Sequence, residues 1–316
     1  MVNADGSNRQ ELVAGGGGPG TGVQALAWSP DGEWLAYDRL DVLKEGEDGQ
    51  PPERHASLWR IRPDGSGASE LVDAGTPSDY GLIVAGWSPD GSRVLYWIDP
   101  VFSASLLADG APLYSVPAEG GATSRLAQAV LLHPDFLVPG PADTDRVAVV
   151  VGGYRGAWTN KVLHVLSVST GQDVALTSAS LAVSSPAWSP DGQRIAYVTM
   201  PDAGDLVGGE PAHQGLMERR IFVANTQGDP QGRQLTDDPA YRDECPLWSA
   251  DGASTLFARF DAEDRASLWL VSVQGGEPRQ IIAELTPAPE PSPLWLGYFG
   301  HVDWDMLFDW WRGPAD

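Results

Sequence analysis

One short pattern recurs along the chain: a tryptophan, the turn Ser-Pro-Asp-Gly and an alternating apolar run. It reads AWSPDGEWLAY at 27–37, GWSPDGSRVLYW at 86–97, AWSPDGQRIAYV at 187–198 and, in a variant form, LWSADGASTLFA at 247–258. Ser suits the first position of a type I turn, Pro presets φ at the second, and Gly accepts the positive φ that follows. Each copy therefore predicts a β-hairpin, with its tryptophan in the core.

A second pair of strands follows each hairpin. Third strands are predicted at 56–61, 111–116, 161–166, 219–224 and 266–271, each followed by a turn and a short fourth strand. The middle repeat keeps a Pro-rich turn at 139–141 but has no tryptophan there. Four short strands per repeat, at a period of roughly fifty to sixty residues, describe the blade of a β-propeller.

The two ends of the chain bear on how the ring closes. Residues 2–13, VNADGSNRQELV, read as the second half of a blade. The stretch 286–316 could supply its first half, which would remove an unpaired sheet edge and close a six-bladed ring. The alternative is that further blade residues precede Met1. We predict an all-β fold, a single propeller over 1–316 with four-stranded blades, most simply six.

The C-terminal stretch also carries a helical pattern. Apolar residues at helical spacing follow Asp303, which suits the N-cap: Trp304, Leu307, Phe308 and Trp311. This pattern predicts a short amphipathic helix after a strand or two, placed where it plugs or covers the ring.

Composition excludes several function classes. The 316 residues include 43 acidic and 20 basic side chains, for a net charge of −23, which argues against binding nucleic acid or anionic lipid. The acidity fits a self-repelling soluble surface, or a site for cations or a basic partner. Cys245 is the single cysteine, so an intramolecular disulfide is impossible. No apolar run is long enough for a transmembrane segment, and we expect no signal peptide at the N-terminus given.

The string NADGSNRQEL, taken with the repeated WSPDG, resembles the TolB-like (WD-type) β-propeller repeats over residues 3 to about 285. Three segments do not follow the general propeller pattern and resemble features of a bacterial subgroup of this family: 152–161, 200–211 and 298–311. The resemblance implies the propeller fold and an extracytoplasmic location, periplasmic or cell-surface. Related propellers cover the active site of prolyl-oligopeptidase-type hydrolases. Because no TolB-type α/β domain precedes these repeats in the sequence given, the resemblance does not imply a role in the Tol envelope system.

Motifs of catalysis are missing from the sequence. The nucleophile elbow G-x-S-x-G, the Walker loop, the dinucleotide-binding fingerprint and H-E-x-x-H do not occur. The five histidines are scattered; His164 reads as a cross-strand partner and His301 as a local hydrogen-bonding group. We therefore predict no catalytic residue, no cofactor and no metal, with a structural calcium left open by the acidity.

The long connections all fall in topologically equivalent places. In a propeller, the connections between strands two and three and those between blades open on one face, here called the long-connection face. Long connections confined to one face often form a binding surface. The alternative is that these loops lengthened without any functional constraint. We predict a binding site of exposed side chains around the channel mouth, formed by Asp99, Tyr154, Arg155, Trp158, Asp202, Asp205 and Asp243.

These observations favour a non-enzymatic recognition module that binds a protein partner or a small ligand. Two enzyme alternatives stay open: a propeller hydrolase with its site at the channel mouth, and the propeller part of a prolyl-oligopeptidase-like enzyme whose catalytic domain is outside this chain. A third alternative is a structural subunit that packs edge-on in an assembly.

Overall fold

A computed structural model describes residues 7, 9–13, 22–47, 51–100, 102–142, 144–204, 210–227, 232–263, 265–285 and 299–310. Within these ranges the strands group into five consecutive antiparallel units of four, here called blades one to five. The chain is therefore mostly β, with propeller-type blades, as predicted. A single residue pair, Val151 with Val130, connects the sheets of blades two and three.

The strands follow one another in chain order within each blade. Blade one contains β1 to β4, at Leu26–Trp28, Leu35–Lys44, Glu53–Ile61 and Ser69–Asp73. Blade two contains β5 to β8, at Gly81–Trp87, Arg93–Asp99, Ala111–Pro117 and Ser124–Val130. Blade three contains β9 to β12, at Leu137–Pro139, Arg146–Val151, Val162–Ser167 and Asp173–Ala175. Blade four contains β13 to β16, at Leu181–Trp188, Arg194–Pro201, Arg220–Asn225 and Arg233–Gln234. Blade five contains β17 to β20, at Arg242–Trp248, Ser254–Phe260, Ala266–Ser272 and Arg279–Ile282.

The Ser-Pro-Asp-Gly turns form as predicted. In blade two the Gly91 amide donates to the Ser88 carbonyl at 2.9 Å, and the Ser92 amide donates to the Asp90 carboxylate at 3.0 Å. Gly91 has a φ of 70°, in the left-handed region that favours glycine. The corresponding glycine of each other copy also has a positive φ: Gly32, Gly192 and Gly252. Each turn is thus stabilised by hydrogen bonds and a glycine conformation within its own repeat.

Tryptophan side chains link neighbouring blades. Each indole Nε1 donates to a main-chain carbonyl of the preceding blade: Trp87 to Ala27 at 3.0 Å, Trp188 to Val138 at 3.1 Å and Trp248 to Ala187 at 2.8 Å. These three tryptophans are buried, which confirms the prediction for them. Trp28 is 45% exposed, because no described strand packs against that side of blade one.

Within the described residues, two 3-10 turns and two α-helices form outside the strands. Helix α1 spans Ala104–Leu107 in blade two, and α2 spans Glu210–Met217 in blade four. Both helices lie in long connections between the second and third strands of their blades. In α2 the buried residues Ala212 and Leu216 lie on one side and contact the protein interior, so tertiary packing stabilises a helix that its sequence, with Gly215 inside it, signals weakly.

The described terminal segments lie against the first and last blades. Leu12 and Val13 pack on Leu35 and Ile61 of blade one, and no strand is assigned at 9–13. Most of the residues expected to complete a sixth blade, 1–6 and 286–298 among them, lie outside the described residues. The number of six blades and the domain bounds 1–316 therefore stay predictions.

The predicted C-terminal helix is wrong for the residues described. Across residues 299–310 only a 3-10 turn forms, at Trp304–Met306, and Asp303 makes no side-chain capping hydrogen bond there. The buried side chains Val302 and Trp304 pack with Phe260 and Leu268 of blade five. Packing against blade five therefore determines the path of the C-terminal segment. A 3-10 turn is short enough to follow the surface of that blade.

Candidate functional site

Three successive connections of the long-connection face are linked to one another. In the first link, Arg155 of blade three donates to both oxygens of Asp109 in blade two, at 2.7 and 2.8 Å. Its guanidinium also donates to the Ser105 carbonyl at 2.7 Å. The hydrogen bond from Arg155 lowers the pKa of the Asp109 carboxyl below its ordinary value. The connection that follows strand β10 is therefore attached to the one that contains α1.

A buried lysine organises the connection at 152–161. The Lys161 ammonium donates to the carbonyls of Gly153, Tyr154 and Thr159 at 3.0, 2.9 and 3.0 Å. Its side chain is fully buried, and burial lowers its pKa to about 8. Tyr154 has a φ of 75°, an uncommon conformation for a bulky residue. A ring of carbonyls around one ammonium thus holds this connection in a single shape.

The second link joins blades three and four. The Asp202 carboxylate accepts hydrogen bonds from the Thr159 hydroxyl and the Asn160 amide, both at 2.7 Å. The Ala203 amide donates to the Trp158 carbonyl at 3.0 Å. Asp202 therefore links two connections, because each of its carboxylate oxygens accepts a hydrogen bond from the connection at 152–161.

Trp158 lies beneath this face rather than on it. It is 1% exposed and packs with Met200, Ala212 and Leu216. Gly300 approaches the indole so closely that a Cβ at this glycine would lie 2.9 Å from the ring. The expectation that Trp158 is an exposed position was therefore wrong, because α2 and the segment at 299–310 cover it.

The third link reaches blade five through buried ion pairs. Arg219 donates to the Glu244 carboxylate at 2.8 Å and to the Ala157 carbonyl at 3.3 Å. Asp243 accepts from Arg259 at 2.6 Å, and its amide donates to the Arg219 carbonyl at 3.2 Å. Burial raises the pKa of the Asp243 carboxyl despite this arginine. Asp243 is fully buried, so it supports the face from below and is not exposed to a ligand.

The seven predicted site residues thus fall into three groups. A connected group consists of Tyr154, Arg155, Trp158 and Asp202, which Arg219 links to Asp243. Asp99 lies at the end of β6, where its buried carboxylate accepts from the Ser103 amide at 3.3 Å. Asp205 lies outside the described residues. The structure brings five of the predicted residues together in one hydrogen-bonded group, of which Trp158 and Asp243 are buried; their binding role stays a prediction.

A cavity of about 520 Å³ lies between the innermost strands of blades three, four and five and the C-terminal segment. Its walls include Val138, Trp188 and Leu247 from the blades, and Trp304 and Phe308 from the segment. The polar groups at its surface are Asp135, Ser185, Cys245, His301, Asp303, Asp305 and Asp309. Burial raises the pKa of the Cys245 thiol well above its usual value, so this thiol is neutral and weakly reactive.

Sequence analysis missed a cluster of titratable residues beside this cavity. His301 Nε2 lies 2.6 Å from Asp135 Oδ1, and the His133 ring stacks on the His301 ring at a centroid distance of 3.7 Å. Asp303 completes the cluster, with Oδ1 at 3.5 Å from His301 Nδ1. The expectation of a local partner for His301 was wrong, since Asp135 is 166 residues away. Such a separation carries no sequence signal.

Comparison with known proteins supports the fold more than any activity. No family model matches the chain. It is 31% identical over 99 residues to the Tol-Pal system protein TolB of Actinobacillus succinogenes, over 27% of this chain and 23% of that protein. It is 32% identical over 117 residues to the uncharacterized peptidase YuxL of Bacillus subtilis, over 36% of this chain and 15% of that protein. The matches thus span less than a quarter of the length of these relatives.

Among solved structures, a protein of Bacteroides ovatus described as a dipeptidyl aminopeptidase IV superimposes with a TM-score of 0.54. The superposition covers 84% of this chain and 40% of that one at 13% identity, a likeness of fold alone. Within the described residues, no helix has the length and apolar character needed to cross a membrane. Repeated turns, four-stranded blades and the partial matches to TolB together support a TolB-like β-propeller repeat family for this chain.

Proposed function

We propose that this chain is a recognition module whose long-connection face binds a protein partner or a small ligand. The observation that carries the proposal is the linkage of three successive connections by Arg155, Asp202 and Arg219. A surface that is ordered before binding loses less conformational entropy on binding. Connections held by a rigid scaffold are also where binding residues concentrate.

The charge of this face favours a basic partner. Exposed carboxylates on its connections include Asp79, Glu218 and Asp237. The arginines that link the connections are already engaged with carboxylates or carbonyls. Because the net charge is −23, a ligand segment rich in Lys or Arg would be attracted over a long range. As the TolB resemblance implies, we propose an extracytoplasmic location for this interaction.

A selection from a random peptide library tests the proposal. The enriched peptides are expected to carry Lys and Arg, and their binding is expected to weaken as salt is added. The double variant Glu218→Lys/Asp237→Lys changes two exposed acids of the long-connection face, and we expect it to reduce affinity at least tenfold.

The matched control is Glu33→Lys/Glu277→Lys, which makes the same charge change in turns of the opposite face. We expect this control to bind within about threefold of the original chain, the residual loss reflecting net charge alone. Equal losses in the two double variants would show that binding is a nonspecific effect of charge and would contradict the proposal.

A second candidate is the propeller part of a peptidase. The superposition on the dipeptidyl aminopeptidase IV from B. ovatus and the match to the peptidase YuxL favour it. A hydrolase domain encoded in the same reading frame would support this candidate. Hydrolysis of chromogenic peptide amides by the purified chain itself would instead support the propeller hydrolase, and would contradict a purely recognising role.

A further inference from the structure

The hydrogen bond between His301 and Asp135 determines which imidazole nitrogen of His301 remains available as a ligand atom. His301 Nε2 lies 2.6 Å from Asp135 Oδ1, and a carboxylate only accepts, so this nitrogen carries a proton. In the neutral ring, Nδ1 then holds a lone pair. The same carboxylate also accepts from the Ser185 hydroxyl at 2.7 Å, which holds it in place.

The other nitrogen of His301 faces a second acceptor. His301 Nδ1 lies 3.5 Å from Asp303 Oδ1 and has no hydrogen-bond partner among the described residues, although its side chain is only 4% exposed. A buried nitrogen lone pair that points toward a carboxylate is unfavourable unless something positive lies between them. The geometry thus calls for a proton or a metal ion at this position.

A second imidazole lies within reach of the same position. The His133 ring stacks on that of His301 at a centroid distance of 3.7 Å with 16° between the planes, so it has to turn out of this stack to direct a lone pair at the same ion. One ligand atom from each of His133, His301 and Asp303 lies within 4.8 Å of the other two. Neutral imidazole is the form that binds metals.

We propose that His133, His301 and Asp303 bind a divalent transition-metal ion, with Asp135 orienting His301. Two imidazoles with one carboxylate suit Zn²⁺ or a similar ion, whereas Ca²⁺ and Mg²⁺ prefer oxygen ligands. Two ligands of a tetrahedral Zn²⁺ are about 3.3 Å apart, close to the 3.5 Å between Nδ1 and Oδ1. A carboxylate on the second nitrogen of a metal-binding histidine is the usual arrangement.

The ion would join two distant parts of the chain. His133 precedes the innermost strand of blade three, and His301 and Asp303 belong to the C-terminal segment at 299–310. His301 and Asp303 also line the 520 Å³ cavity, which offers the ion a path and leaves room for a further ligand. Metal binding would thus stabilise the C-terminal segment against the blades, independently of any partner on the long-connection face.

The test uses the full chain, treated with a chelator and then titrated with Zn²⁺, Mn²⁺ and Ca²⁺ separately, with calorimetry and thermal unfolding as readouts. We expect one Zn²⁺ per chain, a higher Tm on binding and at least tenfold weaker binding of Ca²⁺. Asp303→Asn should reduce Zn²⁺ affinity at least tenfold, and Asp303 is exposed and makes no capping hydrogen bond, so the variant should fold.

Asp305→Asn is the matched control, because Asp305 is exposed on the same segment and lines the same cavity. It should bind Zn²⁺ as the unaltered chain does. The positioning role of Asp135 predicts a 10- to 100-fold loss of Zn²⁺ affinity in Asp135→Asn. Absence of stoichiometric Zn²⁺ binding, or equal affinity in Asp303→Asn and Asp305→Asn, would overturn the proposal. A Tm that changes with pH but not with Zn²⁺ would show that a proton, and not a metal ion, lies between His301 Nδ1 and Asp303 Oδ1. That result would also overturn the proposal.

Discussion

The indole Nε1 of Trp248 donates a hydrogen bond to the main-chain carbonyl of Ala187, 2.8 Å away, across the boundary between blades four and five. The guanidinium of Arg194, from blade four, lies over the same indole at 4.9 Å from its centre, and it donates to the Gly252 carbonyl at 3.1 Å. The tryptophan of the repeated pattern thus joins packing, hydrogen bonding and a cation–π contact at one blade boundary.

The contacts of Trp248 at this blade boundary predict how much its removal lowers the free energy of unfolding. Trp248→Ala should lower the free energy of unfolding by about 3–5 kcal/mol, because Trp248 is fully buried. Chemical denaturation measures the change. Trp28→Ala is the control: Trp28 occupies the same place in its repeat but is 45% exposed, so its loss should be clearly smaller. Equal losses would contradict the role of the blade boundary.

Trp158→Ala should behave as a core substitution. Its side chain is enclosed by Met200, Leu216 and the backbone at Gly300, so we expect a loss of about 3–5 kcal/mol in the free energy of unfolding. Ser105→Ala, at an exposed position of the neighbouring connection, should stay within about 0.5 kcal/mol. A small effect of Trp158→Ala in urea unfolding would mean that α2 does not cover this residue in solution.

The link between Arg155 and Asp109 predicts an acid-dependent contribution to stability. The folded-state pKa of Asp109 is lowered from 3.8, so the contribution is present above that pH and disappears as the pH falls through the folded-state value. Because Asp109 is 34% exposed, screening limits the contribution to about 1 kcal/mol or less. The difference in unfolding free energy between the unaltered chain and Asp109→Asn should shrink from pH 7 to about pH 2. A difference that is constant with pH would exclude the ion pair as its cause.

Lys161 predicts a pH dependence of stability in alkaline solution. Its folded-state pKa is about 8 and its ordinary value is 10.5, so between these values the unfolded chain binds more protons than the folded chain. Stability should therefore rise with pH across this window, by about 3 kcal/mol at most. Lys161→Met should remove the rise, as seen by urea unfolding at several pH values. Lys44, exposed and the only other lysine, gives the matched control Lys44→Met, which should retain it.

Much of the fold could be predicted because its signals are local. The Ser-Pro-Asp-Gly turn is determined by its own residues: the amide of Gly91 closes on Ser88, and its positive φ needs no distant contact. A tryptophan next to each turn and alternating apolar residues beyond it then place the hairpins in a blade. The equivalent positions of the long connections follow from strand order alone, which is why Tyr154, Arg155 and Asp202 lie in connections that contact one another.

Contacts between distant segments decided the rest. Trp158 sits in a connection without periodicity, and only the packing of α2 and Gly300 against it makes it part of the core. His133 and His301 carry no common motif, and they meet because the C-terminal segment returns to blade three. The sequence by itself determined the turns, the strands and the repeat, since their causes lie within a few residues. Tertiary structure decided burial in the connections and the histidine cluster, because both depend on which segments the folded chain brings together.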